Sequence, residues 1–135
     1  MIINQEQKNS VINIAKEYEL DLLVLFGSQA TGKIHSKSDV DFGFISSKNI
    51  DIDNRFKIEN DLGKIFKRKD IELVDMRRIS PLMKKIISDE GVLLYQSIPG
   101  LFVRFNMYAF KLYIETKPLR ELRYQSLKRF AYGIK

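Results

Sequence analysis

The sequence contains no cysteine and only one histidine, His35, among its 135 residues. A disulfide scaffold, a thiolate zinc site and a cysteine nucleophile are therefore excluded, and a site with several histidine ligands is impossible. Long apolar stretches are also missing. The run from Leu22 to Phe26 is five residues long, whereas a membrane helix needs about 20, and charged residues interrupt the first twenty positions where a signal peptide would need an apolar stretch. We expect a soluble, cytoplasmic protein.

Length and composition are those of one globular domain. Hydrophobic residues make up 44% of the chain and charged residues 30%, close to the usual composition of soluble domains. A chain of this size buries roughly two-thirds of its unfolded surface, so it can form a packed core. It has no room for a second catalytic domain.

Positive charge is concentrated in the last 35 residues. Residues 1–100 contain 15 Lys or Arg and 15 Asp or Glu, whereas residues 101–135 contain 8 and 2. The same segment holds 8 of the 15 aromatic residues. Basic and aromatic residues together suit either nucleic acid or an acidic protein surface, so composition alone leaves both kinds of partner open.

The hydrophobic pattern predicts alternating helices and strands followed by a helical tail. We expect helices over 4–19, 53–66 and 81–90, and strands over 22–26, 39–45, 71–74 and 92–95. A turn at 97–100 separates this body from the tail, which should hold one helix near 101–116 and, after Pro118, another near 119–131. Core positions expected on the third helix are Ile86 and Ile87. The pattern predicts an α/β (α+β) fold with a small mixed sheet, flanking helices and a C-terminal helical extension, divided into residues 1–98 and 99–135.

Gly27 and Ser28 directly follow a buried strand, at the predicted start of a short helix. Free backbone N–H groups and a hydroxyl at such a position favour a phosphate. Asp39 and Asp41, one residue apart on the next strand, should project from the same face with side chains about 6–7 Å apart. A site built from carboxylate oxygens suits a hard cation such as Mg²⁺ that also contacts phosphates.

A third acid, Glu72, lies on the following strand at a position that alternation places on the polar face. Asp70 and Asp75 flank it, and either would take its place if the strand register shifted by two or three residues. Three carboxylates beside a phosphate cradle are the arrangement used in two-metal phosphoryl or nucleotidyl transfer. The residues therefore predict a metal-dependent nucleotide site.

A family resemblance agrees with this interpretation. The run Gly27-Ser28, ten residues and then Asp39-x-Asp41 is similar to the signature of the nucleotidyltransferase superfamily that shares the DNA polymerase beta palm fold. Segments 71–81 and 90–95 resemble those of MNT-domain proteins, the minimal nucleotidyltransferases encoded beside HEPN-domain ribonuclease toxins. Chain length and the aromatic, basic tail resemble the adenylyltransferase antitoxins of that pairing, often called type VII.

The resemblance implies a role for each matching residue. Gly27 and Ser28 would grip the triphosphate of ATP, the substrate. Asp39, Asp41 and Glu72 would be the catalytic metal-binding acids holding two Mg²⁺ ions, although the family usually has Asp where this chain has the longer Glu72. The implied reaction moves AMP from ATP to a tyrosine of a HEPN-domain RNase toxin and silences it. Residues 99–135 would dock that partner, and direct binding of nucleic acid is not expected.

Three other functions fit parts of the same pattern. The same chemistry could use a small-molecule or RNA acceptor, although members of that kind generally carry added domains. A non-catalytic antitoxin would inhibit its partner by binding alone, and Glu72 in place of Asp favours that alternative. A nucleic-acid-binding module would use the basic tail, and its affinity would then fall steeply with salt.

Overall fold

The computed structural model describes residues 2–27 and 40–133. Helices and strands alternate in these ranges, as the hydrophobic pattern predicts. In chain order they are α1 (Gln5–Glu17), β1 (Leu22–Phe26), β2 (Val40–Ile45), α2 (Ile52–Phe66), β3 (Ile71–Asp75), α3 (Pro81–Glu90), β4 (Val92–Gln96) and α4 (Leu101–Ala131). The strand bounds agree with the prediction to within one residue; Asp39, the predicted first residue of β2, lies outside the described residues.

Local sequence signals determine where the helices begin and end. Asn4 and Gln7 form a capping box at the start of α1: Asn4 Oδ1 accepts from the Gln7 N–H at 2.7 Å, and Gln7 Oε1 accepts from the Asn4 N–H at 3.1 Å. Ser80 caps α3 in the same way by accepting from the Met83 N–H at 3.1 Å, and Gly91 ends that helix. These signals act within one turn and are therefore legible in the sequence.

The four strands form one mixed sheet in the order β3-β2-β1-β4. Strand β1 is antiparallel to both neighbours, whereas β2 and β3 are parallel. The outer edge of β3 is covered by α2, because Glu59 Oε1 accepts from the Leu73 N–H at 3.1 Å and Arg55 donates to the Leu73 carbonyl at 2.7 Å. Side chains thus replace a neighbouring strand at this edge.

Each face of the sheet covers its own hydrophobic core. Helices α1 and α2 pack on one face, where the core includes Val11, Phe42 and Leu62. On the other face, Val24 and Phe26 of β1 pack in a second core with residues of α3 and α4. Because successive strand residues point to opposite faces, both layers are supplied by the same four strands.

In helix α3, one of the two predicted core residues is buried and the other is exposed. Ile87 is fully buried, but Ile86 is 38% exposed, so the prediction for Ile86 is wrong. Adjacent residues are about 100° apart around a helix, and α3 turns Lys84 and Ile87 towards the core. The Lys84 ammonium donates to the carbonyl of Ile79 at 3.1 Å, which compensates its burial.

The tail is one continuous helix, and the prediction of two helices separated at Pro118 is wrong. A proline removes one helical hydrogen bond and crowds the preceding turn. Here two side chains bind carbonyls of that turn: Thr116 Oγ1 donates to Leu112 at 2.7 Å, and Arg120 donates to Tyr113 at 2.9 Å. These bonds stabilise the helix on either side of the proline.

Only the first part of α4 belongs to the core. Phe105 and Ala109 are buried, and Phe102 and Leu112 are half-buried. From Glu121 to the end of the described chain every residue is exposed. No helix within residues 2–27 and 40–133 combines the length and hydrophobicity of a membrane span.

Candidate active site

Three residues form a row across the sheet near the start of β2. Asp41 is aligned with Phe26 on β1 and with Glu72 on β3. Aligned residues of paired strands project to the same side of a sheet, so both carboxylates lie on the face that Phe26 occupies, opposite to α1 and α2. The structure therefore brings Asp41 and Glu72 together as the alternation of β3 predicts.

The two carboxylates differ in exposure. Asp41 is half-buried, whereas Glu72 is exposed. Within the described part of the chain, Glu72 has no hydrogen-bond or ion-pair partner. Its carboxylate is therefore available to a ligand or to a proton that arrives from solvent.

Gly27 passes directly over Asp41. Its φ of +82° is in the left-handed region, and a Cβ built on it would lie 2.6 Å from Oδ2 of Asp41. Real side chains do not tolerate either condition easily. The turn after β1 therefore requires glycine, and the predicted phosphate-binding residue contacts a predicted metal-binding residue.

Arginine side chains pair with both of the alternative acids, Asp70 and Asp75. Both carboxylate oxygens of Asp70 accept from Arg68, one of them at 2.8 Å, and this hydrogen bonding lowers the pKa of Asp70 despite partial desolvation. Asp75 is aligned with Phe44, away from Asp41 along the sheet, and it forms ion pairs with two arginines that follow it. The geometry favours Glu72 over both as the acid beside Asp41.

Ser28 and Asp39, the other two predicted site residues, lie outside the described residues, as does His35. Among residues 2–27 and 40–133, no three acidic or histidine side chains cluster closely enough to hold a metal ion. Two carboxylates and one glycine of the predicted set are therefore present with known geometry. Their oxygen-only chemistry fits a hard cation.

The packing beneath the site could not be predicted in full. Gly43 follows Asp41 on the same face of β2, and a Cβ on it would lie 2.7 Å from both Cγ and Sδ of Met76. Met76 is fully buried and belongs to the same core as Phe26. In the sequence, the only indication of this contact is that one apolar residue, Met76, stands directly before the charged pair Arg77-Arg78.

Comparison with known proteins places the chain in a family. Residues 9–98 match the family described as Polymerase beta, Nucleotidyltransferase. The chain belongs to this family. The matched region includes Gly27, Asp41 and Glu72 and ends before α4. The resemblance inferred from the motif spacing is confirmed.

Two curated relatives carry the name protein adenylyltransferase MntA. The relative from Aphanizomenon flos-aquae is 31% identical over 120 residues, which are 82% of this chain and 80% of that protein. The relative from Shewanella oneidensis is 26% identical over 91 residues, which are 66% of this chain and 65% of that protein. The chain is thus similar to two proteins that are named protein adenylyltransferases.

Solved structures share the fold. A toxin–antitoxin structure with AMP-PNP superposes with a TM-score of 0.76 at 22% identity, covering 90% of this chain and 98% of that chain. An MNT antitoxin in complex with the tri-AMPylated Shewanella oneidensis HEPN toxin gives 0.73 at 20% identity, covering 93% and 99%. The predicted polymerase-beta-like nucleotidyltransferase fold with a helical extension is therefore confirmed.

Proposed function

We propose that this chain is an antitoxin that transfers AMP from ATP to a tyrosine of a HEPN-domain RNase toxin. The observation that carries the proposal is the 31% identity, over about four-fifths of each chain, to a protein adenylyltransferase. The alignment of Asp41 with Glu72 supports it. The cytoplasm, which holds ATP and Mg²⁺, is the compartment we propose for the reaction.

The site residues divide into two groups. Asp39, Asp41 and Glu72 would hold Mg²⁺, which when bound neutralises triphosphate charge and activates the acceptor hydroxyl. Gly27 and Ser28 would contact the triphosphate through backbone N–H groups and a hydroxyl. Because Gly27 has no side chain, the backbone of the turn after β1 lies beside Oδ2 of Asp41, so a phosphate bound by that backbone would lie near a metal-binding carboxylate.

The proposed reaction is a displacement at the α-phosphorus of ATP. The tyrosine oxygen forms a bond to that phosphorus, the bond to the bridging oxygen of the β-phosphate breaks, and pyrophosphate leaves with the electron pair. The tyrosine proton must go to a base. Glu72 is exposed whereas Asp41 is half-buried, so Glu72 is the more accessible of the two described site carboxylates to an acceptor on another protein.

We propose that residues 1–98 carry the chemistry and that the helical extension, residues 99–135, contains the surface that binds the toxin. The family match ends at residue 98, and the distal half of α4 is exposed. A small acceptor is less consistent with the two curated relatives, both of which are named protein adenylyltransferases.

The second candidate function is inhibition by binding without catalysis. Glu72, where the family usually has Asp, is the observation that favours it. The extra methylene displaces the carboxylate outward, which would slow transfer while docking continues. The two candidates differ in whether the toxin gains AMP.

Intact-mass spectrometry of a cognate HEPN-domain toxin distinguishes them. The toxin would be produced with this chain, ATP and Mg²⁺, and with the variants Asp41→Asn and Glu72→Gln. We expect mass increments of whole AMP units with the wild-type chain and none with either variant. Asp53→Asn, an exposed acid on the opposite side of the sheet, is the matched control. An unmodified toxin that still copurifies would contradict the proposal and support inhibition by binding.

A further inference from the structure

Helix α4 extends beyond the helix that supports it. Helix α3 packs along α4, with Lys85 Nζ 5.4 Å from the ring centroid of Tyr113. Where α3 begins, Leu82 and the distal half of α4 line a cleft of about 470 Å³. Beyond this cleft α4 continues to Ala131 with all its side chains exposed from Glu121 onwards.

One side of this distal half is apolar. Leu119, Arg123, Leu127 and Phe130 follow one another at intervals of three or four residues, so they lie on one face of the helix. We call these four residues the distal face. Leu119, Arg123 and Leu127 line the cleft beside Leu82, so the distal face continues the side of α4 that α3 covers.

The distal face is unusually exposed for its hydrophobicity. The exposed fractions are 68% for Leu119, 61% for Leu127 and 87% for Phe130, and Leu82 at the cleft is 47% exposed. The four residues span about 16 Å along the helix axis. Large apolar side chains gathered on one face of a helix mark an interaction site more often than singly scattered ones. The size suits about three turns of a partner helix laid along α4.

The charge of the distal half of α4 favours some partners for the distal face over others. Residues 117–133 contain five cationic side chains and one anionic one: Lys117, Arg120, Arg123, Lys128, Arg129 and Glu121. Two copies of this chain docked through α4 would bring these like charges together, which disfavours self-association. An acidic partner surface would complement them, with a carboxylate opposite Arg123 in the middle of the distal face.

The apolar side chains favour a protein over RNA. Single-stranded nucleic acid binds on planar aromatic rings, on which its bases stack. The distal face and cleft present three leucines, Leu82, Leu119 and Leu127, beside two rings, those of Tyr124 and Phe130. Branched aliphatic side chains instead fit between the side chains of a second helix.

We propose that the distal face binds an acidic amphipathic helix of the protein that is adenylylated. This inference rests on the proposed function, since it assigns a docking surface to the same acceptor. The distal face is on α4, whereas Asp41 and Glu72 are on the sheet, so binding of the acceptor is separable from chemistry. The docking surface sets affinity for the acceptor, and the carboxylates set the rate of transfer.

The test compares two changes on the distal face with a matched change on the opposite side of α4. The variants are Leu127→Glu/Phe130→Glu and Arg123→Glu. The control is Phe110→Glu, because Phe110 is 57% exposed and lies nine residues from Leu119, about two and a half turns away. Circular dichroism verifies that each variant keeps its helix content.

Two measurements are made with the HEPN-domain protein: its affinity by calorimetry, and the rate of AMP transfer as its concentration is varied. We expect both distal-face variants to weaken affinity by about ten-fold or more and to raise the half-saturating toxin concentration equally, while excess toxin restores transfer. Phe110→Glu should stay within about two-fold of wild type.

Several results would overturn the docking proposal. One is wild-type affinity in the distal-face variants; another is an equal loss in Phe110→Glu. Loss of binding to a single-stranded RNA 20-mer with unchanged toxin affinity would assign the face to nucleic acid, and a wild-type dimer that the double variant abolishes would assign it to a second copy. Wild-type binding without AMP transfer would instead refute adenylylation alone, because the calorimetric comparison still tests the docking surface.

Discussion

Oδ2 of Asp41 occupies the space in which a side chain on Gly27 would begin, 2.6 Å from the Cβ position. The backbone at the end of β1 therefore packs against the carboxylate of Asp41 at the start of β2. This contact limits where the Asp41 oxygens can point, and it brings the backbone of the β1 turn next to them. A phosphate bound by that turn would lie beside the carboxylate.

Gly27→Ala tests this contact. The substitution adds strain at a φ of +82° and a clash with Asp41, so we expect AMP transfer to fall by more than about ten-fold and stability to fall by about 1–3 kcal/mol. Gly100→Ala is the control, because Gly100 has a φ of +92° but nothing within 4 Å of its Cβ position. It should lose stability through strain while keeping activity. Equal activity losses in the two variants would argue against a special role for the contact.

Two substitutions at Glu72 separate the effect of its negative charge on AMP transfer from the effect of its side-chain length. Glu72→Gln removes the negative charge and should lower the transfer rate by about 100-fold or more. Glu72→Asp keeps the charge and restores the usual acid of the family, so activity should persist. Because Glu72 is exposed, urea unfolding should change by less than about 0.5 kcal/mol in both. A wild-type transfer rate in Glu72→Gln would exclude Glu72 as the third acid of the site and would make Asp70 the next candidate.

Arg68→Gln should change the titration of Asp70. In the wild type, hydrogen bonds from Arg68 lower the pKa of Asp70, so the pair stabilises the fold above the unfolded-state pKa of about 3.9. That contribution disappears as the pH falls through the lowered, folded-state pKa. We expect NMR titration of the Asp70 carboxyl carbon to show a higher pKa in Arg68→Gln. An unchanged Asp70 pKa would contradict the assignment to Arg68, and Arg77→Gln should leave it unaffected.

A double-mutant cycle at Gly43 and Met76 tests the packing beneath the site. Gly43→Ala should destabilise by about 1–3 kcal/mol, because its Cβ would overlap the Met76 side chain. Met76→Ala should cost about 2–5 kcal/mol by leaving a cavity. The double variant should lose less than the sum, because the new methyl group occupies part of that cavity. Additive losses in urea unfolding would show that the two residues do not compete for this space.

Signals that act over one helical turn or one strand were predictable from the sequence. The Asn4–Gln7 capping box, the Ser80-Pro81 start of α3 and the Gly91 stop all act through neighbouring backbone groups. Strand alternation also placed Glu72 on the correct face. The spacing of the glycine and aspartate motif identified the family, and the match over residues 9–98 confirmed it.

Contacts between distant segments required the tertiary structure. The alignment of Asp41 with Glu72 depends on the parallel register of β2 and β3, which no local pattern specifies. The pairing of Arg68 with Asp70, by contrast, joins residues only two positions apart, and it leaves Glu72 as the better-placed acid. The roles of Gly27, Ser28, Asp39, Asp41 and Glu72 stay predictions.

The sequence by itself determined the elements, the family and the types of residue available for chemistry, because periodicity, capping and motif spacing are properties of neighbouring residues. The bonds from Thr116 and Arg120 to carbonyls before Pro118 are local to α4, so its continuation through the proline is a feature that the proline rule alone mispredicted. Tertiary structure alone decided that Asp41 and Glu72 are neighbours, because the register of β2 with β3 joins separate segments of the chain. It also decided which side of α3 is buried, where Lys84 and not Ile86 turns inward. The intrinsic helix propensity of a residue sets the free energy that it costs in a helix. Packing and hydrogen bonding around the residue determine whether the helix forms in spite of that cost.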